Sequence, residues 1–262
     1  MSGTASATAA ATAAAAAWDA RTRFAVYYAP ARESAWWRAG SAWLGRDAQS
    51  GEHCAVPQPA SLARALAELT EAPRRYGWHG TLVAPFRLAP GLAPDDVLAT
   101  ARTWALTQHA FDLPVEAATL GDFVALRPAD EHGDARMRDV AASALQALDA
   151  LRAQPSEADL ARRLAAPLSE RQRSLLLQWG YPYVFDEFRF HMTLSNSLDD
   201  AGERAALLAW WRQRVPALGP LSVDHAALFV EPAPGEPFVL WQRLPFRADG
   251  PNDGAVPQVT RR

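Results

Sequence analysis

The sequence predicts an α+β protein built from two related lobes, and three observations carry that expectation. The pattern His-x-Thr-Leu occurs twice, as "HGTL" at 79–82 and "HMTL" at 191–194. Each copy lies in a strand-like segment followed by a helical pattern and then a hairpin pattern, and a mainly helical stretch separates the two. Alternation of helix and hairpin signals in two similar halves is the pattern expected of paired α+β units.

Taken in order, the first 17 residues, "MSGTASATAAATAAAAA", hold no charged side chain and so lack the basic start of a secretion signal. They read as the core of a disordered tail over 1–20, and "RADGPNDGAVPQVTRR" reads as a second tail over 247–262. Between them lies one folded unit, 21–246, with lobe one at about 21–130, a helical connection at about 131–180 and lobe two at about 181–246. "RFAVYYAP" is rich in aromatic and β-branched residues and predicts a strand ending at Pro30. In "SAWWRAGSAWLG" the bulky residues recur at helical spacing and Gly45 marks the stop. A short helix is expected around "SLARALAEL", then the first motif as a strand, then a helix opened by Pro94 and two Asp residues. "FDLPVEAATLGDFVALRP" predicts a hairpin turning near Gly121.

From about Asp134 to Trp179 the pattern is helical, and "SERQ" at 169–172 is a capping box opening "SLLLQW". "DEFRFHMTLSNSL" then predicts a strand, "DDAGERAALLAWWRQRV" a helix, and the segment around "PAPGEP" a hairpin.

At 262 residues, with 49% hydrophobic and 10% aromatic content, the chain is that of a folded protein, and disorder throughout is excluded. The net charge of −3 arises from 26 basic and 29 acidic residues, every basic one an arginine. No overall basic field recommends long nucleic acid or an anionic membrane as partner, and no segment has the apolar length to span a bilayer. The single cysteine, Cys54, fits a reducing compartment, and a cytoplasmic location is expected. Metal-ligand spacing is absent among the histidines, so neither metal nor cofactor is expected.

Period-two alternation assigns the motif side chains to faces. In the second motif Phe188, Phe190, Met192 and Leu194 share one face, and Glu187, Arg189, His191 and Thr193 the other. In the first, Gly77, His79, Thr81 and Val83 fall together, opposite Trp78, Leu82 and Ala84. Two imidazoles presented to one cleft can take a proton at one oxygen and deliver one at another. That is what opening a phosphodiester requires, and histidine suits both roles because its ordinary pKa lies near neutrality. The Thr81 and Thr193 hydroxyls are placed to hold phosphate oxygens. Arg189, on the face of His191, is a candidate phosphate contact, with pairing to Glu187 as the competing reading. Arg74 and Arg75 read as a solvated loop, with attraction of an anion as the competing reading. Tyr76 and Tyr183 read as packing residues, with stacking on a sugar or base at the cleft border as the competing one, and His225 reads as a buried structural histidine.

These motifs, with the longer strings "WLGRDAQSGE", "PRRYGWHGTLVAPFRL", "LARRLAAPLSERQRSLLLQWGYPYVFDEFRFHMTLS" and "LFVEP", resemble the two-histidine (2H) phosphoesterase superfamily. Within it the chain is most similar to the phosphonate metabolism branch found alongside carbon–phosphorus lyase genes in bacteria. The resemblance implies a bilobal, pseudo-symmetric fold of the RNA ligase/cyclic phosphodiesterase kind, with two antiparallel sheets facing a central cleft and helices outside. It implies a metal-independent hydrolase opening a cyclic phosphodiester of nucleotide or ribosyl phosphate type. His79 and His191 would be its acid and base, in an order the symmetry leaves open, and Thr81 and Thr193 its phosphate holders. Relatives often carry a basic residue where this chain has Val83, which on the alternation above removes a positive charge from the cleft. The alternative from another class is a non-catalytic binding protein or sensor for a phosphorylated metabolite using the same cleft. Neither reading fixes an oligomeric state.

Overall fold

A computed structural model describes residues 18–59 and 62–247 of the chain. The expected tails, 1–20 and 247–262, fall outside these residues except at 18–20 and 247. Among the described residues the architecture is α+β, with antiparallel strands and several helices.

Strand β1 (Arg23–Tyr28) lies where the aromatic and β-branched run places it. Helix α1 (Ala35–Leu44) starts at Ser34, whose side chain accepts from the Trp37 amide. It stops at Gly45, where φ of 72° suits a residue without a Cβ. Two short helices, α2 (Leu66–Leu69) and α3 (Glu71–Tyr76), lead into β2 (Gly80–Phe86). Helix α4 (Pro94–Ala105) carries its proline and acidic residues in the first turn, as expected.

The segment that follows is not a single hairpin. Phe111–Leu113 (β3) breaks away at Pro114, and the hairpin consists of β4 (Val115–Leu120) and β5 (Phe123–Pro128), turning at Gly121. The helical connection comprises α5 (Glu131–Leu148), α6 (Glu157–Leu164) and α7 (Glu170–Trp179), the last opened by the capping box of Ser169 and Gln172.

The expected long strand at the second motif is mostly absent. A 3₁₀ turn occupies Phe185–Glu187, and only Met192–Thr193 (β6) is hydrogen-bonded as strand. Met192 and Thr193 pair with Leu126 and Ala125 of β5, and the Leu194 N–H continues the contact to the Val124 carbonyl at 2.8 Å. The alternation survives without the ladder, since Phe188, Phe190, Met192 and Leu194 are all buried. Helix α8 (Ala201–Leu218) and strands β7 (Leu221–Val223), β8 (His225–Glu231) and β9 (Val239–Pro245) complete the fold.

Strand pairing crosses the two halves of the sequence. The first sheet has the order β2-β1-β8-β9, so the hairpin of the second half completes the sheet of the first motif. The second has the order β4-β5-β6, so the hairpin of the first half supports the second motif. The boundaries 21–130 and 181–246 therefore do not delimit separate sheets. Strand β8 is buried at every position, and a central strand of that kind needs a neighbour on each edge, which β1 and β9 supply. The β3 and β7 pair ties the sheets together, because β3 leads into β4 and β7 into β8.

A layer of tryptophans lies beneath the motifs. Trp78 stacks on Trp211 with centroids 5.5 Å apart and planes 8° from parallel, and Trp43 donates its indole N–H to the Leu194 carbonyl at 2.7 Å. The ring of Trp78 sits so close to Gly40 that a Cβ there would lie 2.0 Å from it. These aromatic residues are core, as their spacing indicates.

Candidate functional site

The first motif is set by two glycines and a strand edge. Gly77 ends α3 at φ of 78°, a conformation that L side chains avoid. Its carbonyl then receives the Nδ1–H of His79 at 2.9 Å. Gly80, the middle residue of the tripeptide, has no room for a side chain, because a Cβ would lie 2.4 Å from the Phe190 ring. Since Phe190 belongs to the second motif, this contact locks the two motifs against each other.

The second motif repeats the arrangement at its histidine. Nδ1 of His191 donates to the Arg189 carbonyl, also at 2.9 Å and also two residues upstream. With Nδ1–H committed to a carbonyl, each neutral ring keeps its lone pair on Nε2. In the first motif that lone pair accepts from the Thr81 hydroxyl at 3.3 Å.

The electrostatics of both rings point the same way. Burial pushes the proton affinity of His79 down to about 4, with the nearby His191 adding to the effect and the Gly77 carbonyl opposing it. His191 is lowered too, by burial against the favourable Arg189 carbonyl. His79 lies under Tyr27, centroids 4.1 Å apart, with Tyr76 and Phe229 at 5.8 and 6.2 Å. His191 has Phe123 at 5.6 Å. Both imidazoles are therefore neutral near pH 7.

The motif residues line two adjoining chambers of one cleft. His191 and Thr81 line a chamber of about 530 Å³. His79, Thr81 and Thr193 line a neighbouring one of about 450 Å³. The two share Thr81, Ala84, Pro85, Phe123, Arg163 and Tyr181. The structure thus brings together all four motif residues named from the sequence.

The simple alternation through Val83 is interrupted. Register against β1 runs Tyr27 to Thr81 and then Val26 to Val83, so Leu82 is an extra residue and the strand bulges. A bulge switches which side chains face which way. Val83 is consequently buried at 2% exposure in the core, and the partly exposed Ala84 is shared by both chambers. Val83 nevertheless lines the larger chamber beside Thr81 and Ala84, so position 83 adds an apolar wall there.

Arg189 borders the larger chamber, but its Nη1 donates to the Asp186 and Phe188 carbonyls, each at 2.7 Å. Glu187 bonds Gln172 rather than Arg189. Arg74 and Arg75 are not a solvated loop. Arg74 holds the Leu44 and Ala67 carbonyls, and Arg75 pairs with the buried Glu231. Tyr76 stacks on Phe238 and borders the smaller chamber, and the exposed Tyr183 borders the larger. His225 is structural, its Nδ1 bonded to Asp224 and its Nε2 receiving Arg243 Nη1 at 2.7 Å.

Sequence reasoning missed Arg23, Tyr27, Arg163 and Tyr181. Arg23 and Tyr27 were findable, because period two along β1 puts them on one face, and both line the smaller chamber. Arg163 and Tyr181 come from the helical connection, which carries no motif. Arg163 donates to the Gly180 carbonyl at 2.7 Å and lies over the Tyr181 ring. Among the described residues no group of three or more His, Cys, Asp or Glu is placed to hold a metal ion, and no helix is long and apolar enough to cross a membrane.

Comparison with known proteins adds a family and two named relatives. The family described as "Protein of unknown function (DUF1045)" matches residues 81–239, which include Thr81, His191 and Thr193. A protein of Janthinobacterium sp. (strain Marseille) named "Ribose 1,5-bisphosphate phosphokinase PhnN" is 40% identical over 249 residues, 88% of this chain and 52% of that protein. One of the same name from Laribacter hongkongensis (strain HLHK9) is 43% identical over 222 residues, 83% of this chain and 50% of that protein. The chain spans about half the length of the curated relatives it matches. Their names overturn the expected metal-independent cyclic phosphodiesterase, since both are named as a phosphokinase and not as a hydrolase of diesters.

Proposed function

Because the chain belongs to the DUF1045 family, whose description assigns no activity, we propose from the site itself that the cleft binds a small phosphorylated metabolite. The observation that carries the reading is the matched pair of imidazoles. Each has Nδ1 tied to the carbonyl two residues upstream, and both rings line adjoining chambers of one cleft.

The chemistry follows from the protonation state. A phosphate monoester changes between one and two negative charges near pH 6. Neutral imidazoles cannot hold a dianion by charge, but a P–OH can donate to Nε2, or a ring can take up a proton as the dianion arrives. Either way the phosphate and the rings share a proton; the Thr81 hydroxyl turns from His79 Nε2 to the ligand, and it and Thr193 donate to the remaining oxygens. Such a pair can move a proton at a phosphate oxygen, consistent with the enzyme names of the relatives. The pseudo-symmetric two-lobed reading and the association with phosphonate metabolism belong to this same proposal. The hydrolase activity does not.

The phosphokinase activity in those names is not assigned to this cleft. The chain contains no lysine, and so has no Gly-rich loop ending in Lys-Ser/Thr to cradle a nucleotide's phosphates.

Calorimetric titration with ribose 5-phosphate tests the proposal. The expected result is saturable binding with proton uptake at pH 7, weakened about 10- to 100-fold by His79→Asn or His191→Asn, as expected when a charge-assisted hydrogen bond is lost. Binding that neither substitution affects would remove the histidines from the site.

A further inference from the structure

Beside the two chambers lies a third, smaller pocket, of about 90 Å³. Its lining includes Arg23, Arg87, Arg152, Arg162 and Arg163, against the single carboxylate of Asp159. Arg23, Arg163 and Pro85 are shared with the chamber of His79, and Arg152, Arg163 and Pro85 with that of His191. The pocket therefore opens onto the cleft.

The chain builds this arrangement deliberately. After β2 the backbone pairs with the segment following α5, Ala153 N–H donating to the Arg87 carbonyl at 2.8 Å and Ala89 N–H to the Leu151 carbonyl at 2.9 Å. That bridge brings Arg87 and Arg152 to one place, and α6 adds Arg162 and Arg163. Asp159 is shared between Arg162 at 2.7 Å and Arg87 at 3.4 Å, while Asp149 and Glu231 pair with Arg152 and Arg23. The carboxylates are outnumbered. Arg152 is mostly buried and its Nη2 donates to the Trp179 carbonyl while its Nε has no hydrogen-bond partner; burial lowers its proton affinity, Asp149 opposes this and the neighbouring Arg163 adds to it. Guanidinium groups crowded in this way repel one another unless an anion joins them. The pocket is too small for a sugar or base and has room for one phosphate group or a few waters.

We propose that this arginine pocket is a second phosphate site, so that the cleft takes a ligand carrying two phosphate groups. One phosphate lies with the motif histidines and threonines and the other among the guanidinium groups. The inference rests on the reading of the histidine cleft and names its substrate class, a sugar bisphosphate.

The test compares ribose 5-phosphate with ribose 1,5-bisphosphate by calorimetry on the full chain, using Arg87→Gln, Arg162→Gln and the double variant. Both side chains are solvent-accessible, at 44% and 70% exposure, and circular dichroism with thermal melting checks that the fold is kept. The expected result is bisphosphate binding at least about 10-fold tighter than monophosphate, falling to the monophosphate level in the double variant, while monophosphate affinity stays within about twofold. A bisphosphate that binds no tighter, or is indifferent to both arginines, overturns the inference, and the histidine cleft stands if His79→Asn still weakens monophosphate binding. If only the arginine variants matter, the second site stands and the histidine reading falls. If neither ligand binds, both fall.

Discussion

His79 and His191 carry the same tripeptide pattern into one cleft, but the protein builds their surroundings differently. His79 precedes a seven-residue strand in a sheet of four, roofed by Tyr27 and followed by a glycine. His191 precedes a two-residue strand on the edge of a sheet of three, followed by a fully buried methionine. What the two share is the carbonyl two residues back that fixes Nδ1. The lesson is that hydrogen-bonded strand is not what orients these rings. Alternating burial together with one backbone acceptor does so on both sides.

The comparison breaks most visibly at the middle residue of each motif. Met192→Ala removes a fully buried side chain and is expected to cost about 2–5 kcal/mol. Gly80→Ala forces a methyl against Phe190 and is expected to cost about 1–3 kcal/mol. Urea unfolding measures both, and a neutral Gly80→Ala would deny that the two motifs interlock.

Acid should sharpen the difference between the rings. A histidine whose folded pKa is depressed binds fewer protons folded than unfolded, so its contribution is complete above the unfolded value and lost as pH falls. For His79 the window runs from about 6.5 down to about 4. His191 and His225 are lowered in the same direction. The thermal midpoint should therefore drop across that range, and His79→Asn should flatten the drop more than His191→Asn. Equal slopes in wild type and His79→Asn would show that the His79 ring is not desolvated.

The smallest effect is expected at the threonines. Thr81 donates to the His79 ring, and among the described residues no such bond joins Thr193 to His191. Thr81→Val should cost about 0.5–1.5 kcal/mol and Thr193→Val less, read from the same urea curves. The reverse order would remove the hydroxyl-to-imidazole bond from the account.

Much of this arrangement was legible in the residues. The faces of Phe188, Phe190, Met192 and Leu194, the stop at Gly45 and the capping box at Ser169 follow from local chemistry, and the structure has each of them. The exchange of hairpins was not legible, because pairing β8 with β1 depends on contacts some 200 residues apart that leave no local signal. The burial of Val83 was not legible because a bulge shifts the phase of alternation without any mark in the sequence, although the residue does line the larger chamber. The arginine pocket was hidden for a related reason: its members are scattered over 23, 87, 152, 162 and 163, and only the fold makes them neighbours. The reaction class was the least legible. Paired imidazoles specify proton handling at phosphate, not the bond that changes.

The central claim, that both motif imidazoles present Nε2 to one phosphorylated ligand, is tested most directly by long-range ¹⁵N–¹H NMR of the histidine rings during titration with ribose 5-phosphate. The account predicts that His79 and His191 are both Nδ1–H tautomers in the free protein at pH 7, and that both Nε2 resonances move with the same saturation curve. Movement of neither, or of one ring alone, would contradict it.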